Sequence, residues 1–167
     1  MHQNIVVIAL TGIGFAALLF AALHDIGFRT VPNWVSLLLF GCGLILRVMA
    51  GDVAIGLGIC AGFFGLTFIL WRLGLMGGGD VKLLTAAAIF LTPIHTPLLL
   101  SGTAVAGGVL ALVYFVSGWI VPRPTRPRPK GFLRRVLRCE QWRLQRRGPL
   151  PYAAAIAVGG VLATLAS

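Results

Sequence analysis

Long apolar runs separated by short polar segments occupy most of the chain. These runs predict six helices, at roughly 4–23, 34–50, 53–71, 83–91, 97–121 and 152–166. A helix needs about 20 apolar residues to cross the roughly 30 Å hydrocarbon core of a bilayer. The fourth and sixth runs are shorter than this, so we expect them to tilt little, to recruit flanking residues or to cross only part of the membrane.

The composition supports a membrane protein independently of the pattern. Apolar residues make up 58% of the 167 residues and charged residues 11%, with a mean hydropathy of +0.95. These values differ strongly from those of an average soluble domain. Six spans leave little room for a folded soluble domain. We therefore predict an all-α, polytopic transmembrane helix bundle that forms a single membrane-embedded domain over residues 1–167.

The distribution of basic residues predicts an orientation in the membrane. If all six helices cross, three loops share one side: 24–33, 72–82 and 122–151. These loops carry thirteen of the fourteen Lys and Arg residues, and only Arg47 lies toward the other side. Cytoplasmic loops are enriched in Lys and Arg, so the three loops should be cytoplasmic and both termini non-cytoplasmic. A five- or seven-helix arrangement would divide these charges between the two sides.

The first apolar run has a second interpretation, as a cleaved signal peptide. A signal peptide carries a basic segment before its apolar core, but only His2 precedes this run. The run is also closer in length to a membrane span. We therefore interpret it as the first helix of the bundle.

The long loop at 122–151 holds ten of the basic residues. Alternating Pro and Arg at 122–129 predict an extended, semi-rigid stretch, and apolar residues at 131–147 partly follow helical spacing, as in a helix lying on the inner leaflet. A nucleic acid is a less suitable partner than anionic lipid headgroups, because the loop adjoins the membrane. The loop acts either as a positive-inside anchor or as a site that recruits an acidic partner.

Several kinds of catalytic site find no support in the sequence. The three cysteines show no paired CxxC spacing, the three histidines are scattered over different segments, and no serine lies in a Gly-x-Ser-x-Gly context. The sequence thus predicts no metal and no cofactor. It contains only four acidic residues, Asp25, Asp52, Asp80 and Glu140. Carboxylates near a bilayer are costly, so their presence indicates a function or a pairing.

Asp25 and Asp80 both fall at predicted helix ends on the cytoplasmic side. Two carboxyl groups held close together share one proton, so that one acts as a base on water and the other donates to a carbonyl oxygen. This is the chemistry of aspartic peptide hydrolysis. The run Gly77-Gly78-Gly79 before Asp80 predicts a backbone without side chains that is able to take positive φ and to approach an extended substrate closely.

Each aspartate also has a simpler interpretation. Asp80 follows a glycine-rich turn and is suited to cap the fourth helix, a role compatible with catalysis. Asp25 is suited to pair with Arg29 four positions later at the membrane surface. The glycines beside Asp80 and the shared side of the two aspartates favour the catalytic interpretation.

Three patches of the sequence resemble the type IV prepilin peptidases, which belong to the GxGD aspartic proteases of membranes. The first is Asp25 followed by Val31-Pro32-Asn33, and the second is Gly77-Gly78-Gly79-Asp80-Val81-Lys82-Leu83, which is similar to the GxGDxKL signature of that family. The third is Pro151-Tyr152-Ala153 at the start of the last helix. Their order and spacing fit over nearly the whole chain.

The resemblance implies that Asp25 and Asp80 are catalytic and that the substrate is a prepilin. Its short basic leader would be removed after a glycine, at the cytoplasmic face of a bacterial inner membrane. Many family members carry an additional domain with paired CxxC motifs that is linked to N-methylation. This chain has none and resembles the compact Flp/Tad type, so we expect neither methyltransferase activity nor zinc.

The remaining motif residues are expected to support the dyad. Lys82 would bind a lipid phosphate, position the leader or shift the pKa of the dyad, or simply extend to the interface. Pro32 and Asn33 would set the start of the second helix, with Asn33 as its cap. Tyr152, after Pro151, would form a hydrogen bond near the dyad or belong to an interfacial aromatic belt.

Two other functions remain open from the sequence. A small cation transporter would bind or relay ions through its intramembrane acids, and it predicts acids deep within the spans. A non-catalytic pilus or secretion assembly factor would need neither aspartate. The sequence gives no oligomeric state.

Overall fold

The computed structural model describes residues 2–120 and 150–165, and these residues form helices without any strand. The described residues contain six helices, α1 (His2–Phe28), α2 (Asn33–Ala50), α3 (Val53–Arg72), α4 (Gly78–Phe90), α5 (Thr96–Ile120) and α6 (Tyr152–Leu165), with a 3₁₀ turn at Pro93–His95. The predicted all-α class is therefore confirmed. The basic loop expected at 122–151 lies almost wholly outside the described residues.

Four of the described helices are long and apolar enough to cross a membrane. They cover Gln3–Phe28, Asn33–Ala50, Val53–Arg72 and Pro93–Ser117. The other two, α4 and α6, have 13 and 14 residues, which at 1.5 Å per residue gives lengths of about 20 Å. The protein is thus a polytopic membrane protein with two short helices, as expected. The crossing of all six helices and the orientation of the termini stay predictions.

One correction concerns the predicted loop at 24–33. Helix α1 continues to Phe28, so Asp25 lies within the last turns of a helix and only residues 29–32 form the connection. The Arg29 N–H extends the helical pattern by donating to the Asp25 carbonyl at 2.8 Å. Arg29 then takes a φ of 57°, a left-handed conformation that ends the helix. The apolar run ended earlier than the helix because polar residues occupy its final turn.

Helix α4 is the central helix of its unit. It packs against α2, α3 and α6, and apart from Lys82 and half-buried Thr85 every residue from Val81 to Phe90 is buried. A helix that is apolar on all sides is typical of a position surrounded by other helices. The position of α4 matters for function because its N-terminal end carries Asp80.

Glycines allow the close approach of helices around α4. A Cβ atom on Gly43 of α2 would lie 2.7 Å from the Phe90 backbone, and one on Gly14 of α1 would collide with the Phe90 ring. Small residues at such contacts let helix backbones pack closely, and this packing drives helix association in lipid. Gly159 of α6 has the same role against α5, where its Cβ would lie 2.8 Å from the Leu99 carbonyl oxygen.

A partly buried ion pair closes the α2–α3 turn. The Arg47 guanidinium lies 2.7 Å from the Asp52 carboxylate, and the Arg47 side chain is only 6% exposed. The chain reverses at Gly51, whose φ is 77°, a conformation suited to glycine. Asp52 therefore has a structural partner.

The chain divides into two compact units. One contains residues 1–106 and 151–167, and the other contains residues 107–150. The first unit holds α1 to α4, the start of α5, and α6. The second is described through residues 107–120 of α5 and Leu150. All the residues of the site described below belong to the first unit, and the single-domain interpretation stays a prediction.

Candidate active site

Asp25 lies at the start of helix α6 although it belongs to α1. Its side chain is 6% exposed, and its Oδ2 atom accepts a hydrogen bond from the Ala153 N–H at 3.3 Å. The first N–H groups of a helix lack partners within the helix, and Pro151 before α6 has no polar side chain to bind them. Asp25 supplies that acceptor from another helix. The positive end of the α6 dipole thus faces its carboxylate.

Asp80 is the third residue of helix α4. Gly77 occupies the N-cap position with extended backbone, and its N–H donates a hydrogen bond to the Asp80 carboxylate. This is the reciprocal half of a capping box, in which a side chain in the first turn binds the N–H of the cap residue. The expectation that Asp80 is itself the cap is therefore wrong. Its side chain nevertheless helps to fix the start of the helix.

Asp25 and Asp80 line the same cavity, which we call the aspartate cavity. Its volume is about 280 Å³, close to the lower end of the range for ligand pockets. It is lined by Asp25, Arg29, Thr30, Val31, Asn33, Gly77, Gly78, Gly79 and Asp80. The ends of three helices, α1, α2 and α4, thus meet around two carboxyl groups.

The surroundings of Asp80 alter its ionisation. It lies in the first turn of α4, outside the four helices long enough to span the membrane. The pKa of Asp80 is raised from 3.8 to about 7, chiefly by burial and also by the negative charge of Asp25, while the Gly77 N–H opposes the change. Near neutral pH the Asp80 carboxyl group is therefore poised between its two protonation states, as general acid–base chemistry requires.

The glycines before Asp80 matter because they have no side chains, while their backbone angles are ordinary. Gly77 has a φ of −73°, and Gly78 and Gly79 are helical, so these three residues do not use the positive φ that glycine permits. A Cβ on Gly77 would lie 2.8 Å from Asp80 Oδ2, and one on Gly79 would lie 3.3 Å from Val31 Cβ. The absence of side chains lets the start of α4 pack against the 29–32 connection.

Lys82 and Asn33 form a hydrogen bond between helices. The Lys82 ammonium donates to Asn33 Oδ1 at 3.0 Å, which joins the start of α4 to the start of α2. Asn33 is not the cap of α2, because Pro32 occupies that position and Asn33 is the first helical residue. Instead, Asn33 accepts the hydrogen bond from Lys82 and lines the aspartate cavity.

The patch at 151–153 reaches the site through its backbone. Pro151 is buried and Tyr152 is half-buried, but the hydrogen bond to Asp25 comes from the Ala153 N–H. Sequence reasoning identified the patch and considered the Tyr152 hydroxyl, whereas the donor is a main-chain group that no residue type reveals. It also missed Thr30, whose carbonyl lies 2.7 Å from His24 Nδ1 and whose position lines the aspartate cavity.

One known protein family matches the chain. A family model described as the type IV leader peptidase family matches residues 12–112, more than half of the chain. The chain belongs to the type IV leader peptidase family. The matched segment contains both aspartates and the glycine run, while the 151–153 patch lies beyond it.

Membership of the type IV leader peptidase family makes the chain a protease and confirms the resemblance found in the sequence. No curated protein and no solved structure gives a significant match to it. The assignment of particular residues to the chemistry therefore depends on the geometry of the aspartate cavity.

Proposed function

We propose that this type IV leader peptidase is an aspartic endopeptidase that uses Asp25 and Asp80 as its catalytic pair. The observation that carries the proposal is their shared cavity, in which the charge of Asp25 acts on the ionisation of Asp80. Two interacting carboxyl groups with different surroundings are the arrangement that acid–base hydrolysis uses.

The two environments suggest different roles in the reaction. Asp25, at the positive end of α6, is suited to act as the carboxylate that takes a proton from the attacking water. Asp80, with a pKa of about 7, is suited to donate a proton to the oxygen of the scissile carbonyl. Collapse of the resulting tetrahedral intermediate breaks the C–N bond: the leaving amine takes the proton held by Asp25, and a hydroxyl group of the intermediate returns a proton to Asp80. The pair titrates as a unit, and both carboxyl groups take part in each cycle.

The proposed substrate is a type IV prepilin of the Flp/Tad kind, cut after a glycine at the end of its short basic leader. The apolar segment after the cut would stay in the bilayer beside the helices of the first unit. The charge distribution supports a location in the bacterial inner membrane with both termini non-cytoplasmic. We extend the proposal to leader removal alone, for pilus assembly or related secretion, and not to N-methylation. Anionic lipids are the proposed partner of the basic loop.

Leader removal in cells tests this proposal. A prepilin is co-expressed with the wild type, with Asp25→Asn and with Asp80→Asn, and its size is followed by mass spectrometry. We expect the wild type to remove the leader and both variants to leave the precursor intact. Glu140→Gln, which changes the fourth acidic residue of the chain, is the matched control and should cleave normally.

Two results would contradict the proposal. Cleavage that survives in both Asn variants would exclude the dyad as the catalytic pair. Pilus assembly that proceeds normally with both variants would favour a non-catalytic assembly factor instead.

A further inference from the structure

A histidine lies directly before Asp25 in helix α1 and has no part in the chemistry proposed above. His24 is half-buried, and it does not line the aspartate cavity. Its Nδ1 atom instead lies 2.7 Å from the carbonyl oxygen of Thr30. This contact joins the last turns of α1 to the connection at 29–32, so it needs an explanation of its own.

The contact between His24 and Thr30 has one chemical direction. A carbonyl oxygen accepts hydrogen bonds and does not donate them, so the proton must be on Nδ1 of the His24 ring. Neutral imidazole carries a proton on only one of its two nitrogens, and its hydrogen bonds determine which one. The contact therefore requires the Nδ1–H form of the ring. The bond persists if Nε2 also takes up a proton, because Nδ1 donates in both cases.

Aromatic neighbours fix the orientation of the His24 ring. Phe20, His24 and Phe28 are spaced four residues apart on α1, so each ring adjoins the next. The centroid of the His24 ring is 5.7 Å from that of Phe20 and 4.7 Å from that of Phe28. Phe20 also contacts Trp34 of α2, with centroids 5.3 Å apart. His24 is thus held between two rings while its Nδ1 meets the connection that follows α1.

The 29–32 connection is held at both ends by backbone hydrogen bonds and in the middle by His24. The Arg29 N–H and the Pro32 carbonyl bond to residues of α1 and α2. Within the described part of the chain, no backbone N–H binds the Thr30 carbonyl, and the His24 ring is its hydrogen-bond partner. Loss of the ring donor would therefore release the middle of the connection.

The middle of the connection forms a wall of the candidate active site. Thr30 and Val31 line the aspartate cavity. Val31 also packs against the glycine run before Asp80, where a Cβ on Gly79 would lie 3.3 Å from Val31 Cβ. A shift of the connection would therefore change the space around the two carboxyl groups. A displacement of about 1 Å in an active site is enough to lower a rate about 100-fold.

We propose that His24 is a positioning residue of this peptidase, whose Nδ1–H holds the Thr30 carbonyl and thereby fixes the wall of the aspartate cavity beside Asp25 and Asp80. The inference rests on the proposed function, because it takes the two aspartates as the catalytic pair. His24 acts through the backbone of the 29–32 connection and takes no part in the proton transfers.

Two substitutions separate the hydrogen bond from the ring. His24→Phe keeps an aromatic ring between Phe20 and Phe28 but has no donor. His24→Asn loses the ring but has an amide N–H as many bonds from Cα as Nδ1 is. Cleavage of a prepilin by purified protein in lipid nanodiscs gives kcat and KM for each. We expect His24→Phe to lower kcat about tenfold or more with KM changed less than about threefold, and His24→Asn to keep kcat within about threefold of the wild type.

Leu23→Phe is the matched control for this experiment. It introduces the same ring one position earlier on α1, at a residue that is 63% exposed and does not line the aspartate cavity. It should keep the wild-type kcat. The inference would be overturned by a His24→Phe variant as fast as the wild type, by a His24→Asn variant at least as slow as His24→Phe, or by an equal loss in Leu23→Phe.

Nuclear magnetic resonance tests the hydrogen bond without any cleavage. Protein labelled with ¹⁵N in histidine is measured at alkaline pH, and the His24 signals are identified by their loss in His24→Asn. The ring ¹⁵N signals distinguish a proton on Nδ1 from a proton on Nε2. We expect the Nδ1–H form for His24. A proton on Nε2 with Nδ1 bare would exclude the bond to Thr30 and overturn the inference.

The two measurements separate this inference from the proposed function. If the wild type and His24→Phe cleave equally fast, or if Nδ1 carries no proton, His24 has no positioning role and the proposed function stands. If the wild type cleaves no prepilin, the proposed function fails, and the positioning role fails with it whichever nitrogen carries the proton.

Discussion

Asp25 and Asp80 are held by backbone N–H groups from different parts of the chain. Ala153 of α6 donates to Asp25, and Gly77 donates to Asp80. Both donors belong to the starts of helices, where N–H groups are otherwise without partners. Each aspartate thus stabilises a helix end while its carboxyl group lines the aspartate cavity. Stabilising a helix start is compatible with catalysis at both residues.

The pKa of Asp80 predicts how the rate of cleavage depends on pH. Its value of about 7 means that the proton needed for donation is lost as the pH rises through neutrality. We expect kcat to fall about tenfold for each pH unit above about 7.5. Initial rates between pH 5 and 9 at constant ionic strength measure this limb. A rate that stays level up to pH 9 would contradict Asp80 as the proton donor.

The same pKa predicts a cost in stability. The ordinary pKa of Asp80 is 3.8, and its pKa in the folded protein is about 7. At pH values between these two, the folded state keeps a proton on Asp80 that the unfolded state has lost. The free energy of unfolding therefore falls as the pH rises through this window. Asp80→Asn removes the titration and should raise the Tm at pH 8 by roughly 3 °C or more, with little change at pH 4. Differential scanning fluorimetry in detergent measures both values.

An equal change in Tm at pH 4 and pH 8 would show that Asp80→Asn acts through packing rather than through charge.

At the scale of elements, the helices were predictable because apolar runs and helices nearly coincide in a membrane protein. The predicted run 53–71 became Val53–Arg72, and 152–166 became Tyr152–Leu165. The prediction was poorest where helices carry polar residues. Helix α1 includes Asp25, and α4 begins at Gly78, five residues before its apolar run. Polar side chains are accommodated in these helices because they bind backbone N–H groups at helix starts: Asp25 binds the start of α6 and Asp80 the start of α4 itself.

The contact between α2 and α4 predicts the effect of a single methyl group. Gly43→Ala would place a Cβ 2.7 Å from the Phe90 backbone, which cannot rotate away. We expect a loss of about 1–3 kcal/mol in the free energy of unfolding. Gly41→Ala, two residues earlier on α2, meets no atom within 4 Å and serves as the control.

Thermal unfolding of the two alanine variants in the same detergent measures this difference. A Tm for Gly43→Ala equal to that of Gly41→Ala would contradict the close packing of α2 on α4.

At the scale of the molecule, the sequence predicted which side chains meet but not how they are held. Asp25 and Asp80 are 55 positions apart in the sequence. The charge distribution and the motif resemblance nevertheless predicted that they lie together. The Ala153 N–H and the Lys82–Asn33 hydrogen bond were not predictable, because main-chain donors and partner choice depend on tertiary packing. The role of the glycines was not predictable for a related reason. Glycine permits positive φ, but Gly77 and Gly79 are needed here because a side chain would collide with close neighbours.

The central claim is that Asp25 and Asp80 act as one catalytic unit. The most direct measurement is kcat/KM for cleavage of a purified prepilin by the wild type, Asp25→Asn, Asp80→Asn and the double variant. We predict that each single substitution lowers kcat/KM by about 1000-fold or more and that the double variant is no slower than either single one, because neither carboxyl group can carry out both proton transfers. A single variant that keeps a tenth of the wild-type value, or losses that multiply in the double variant, would contradict the claim.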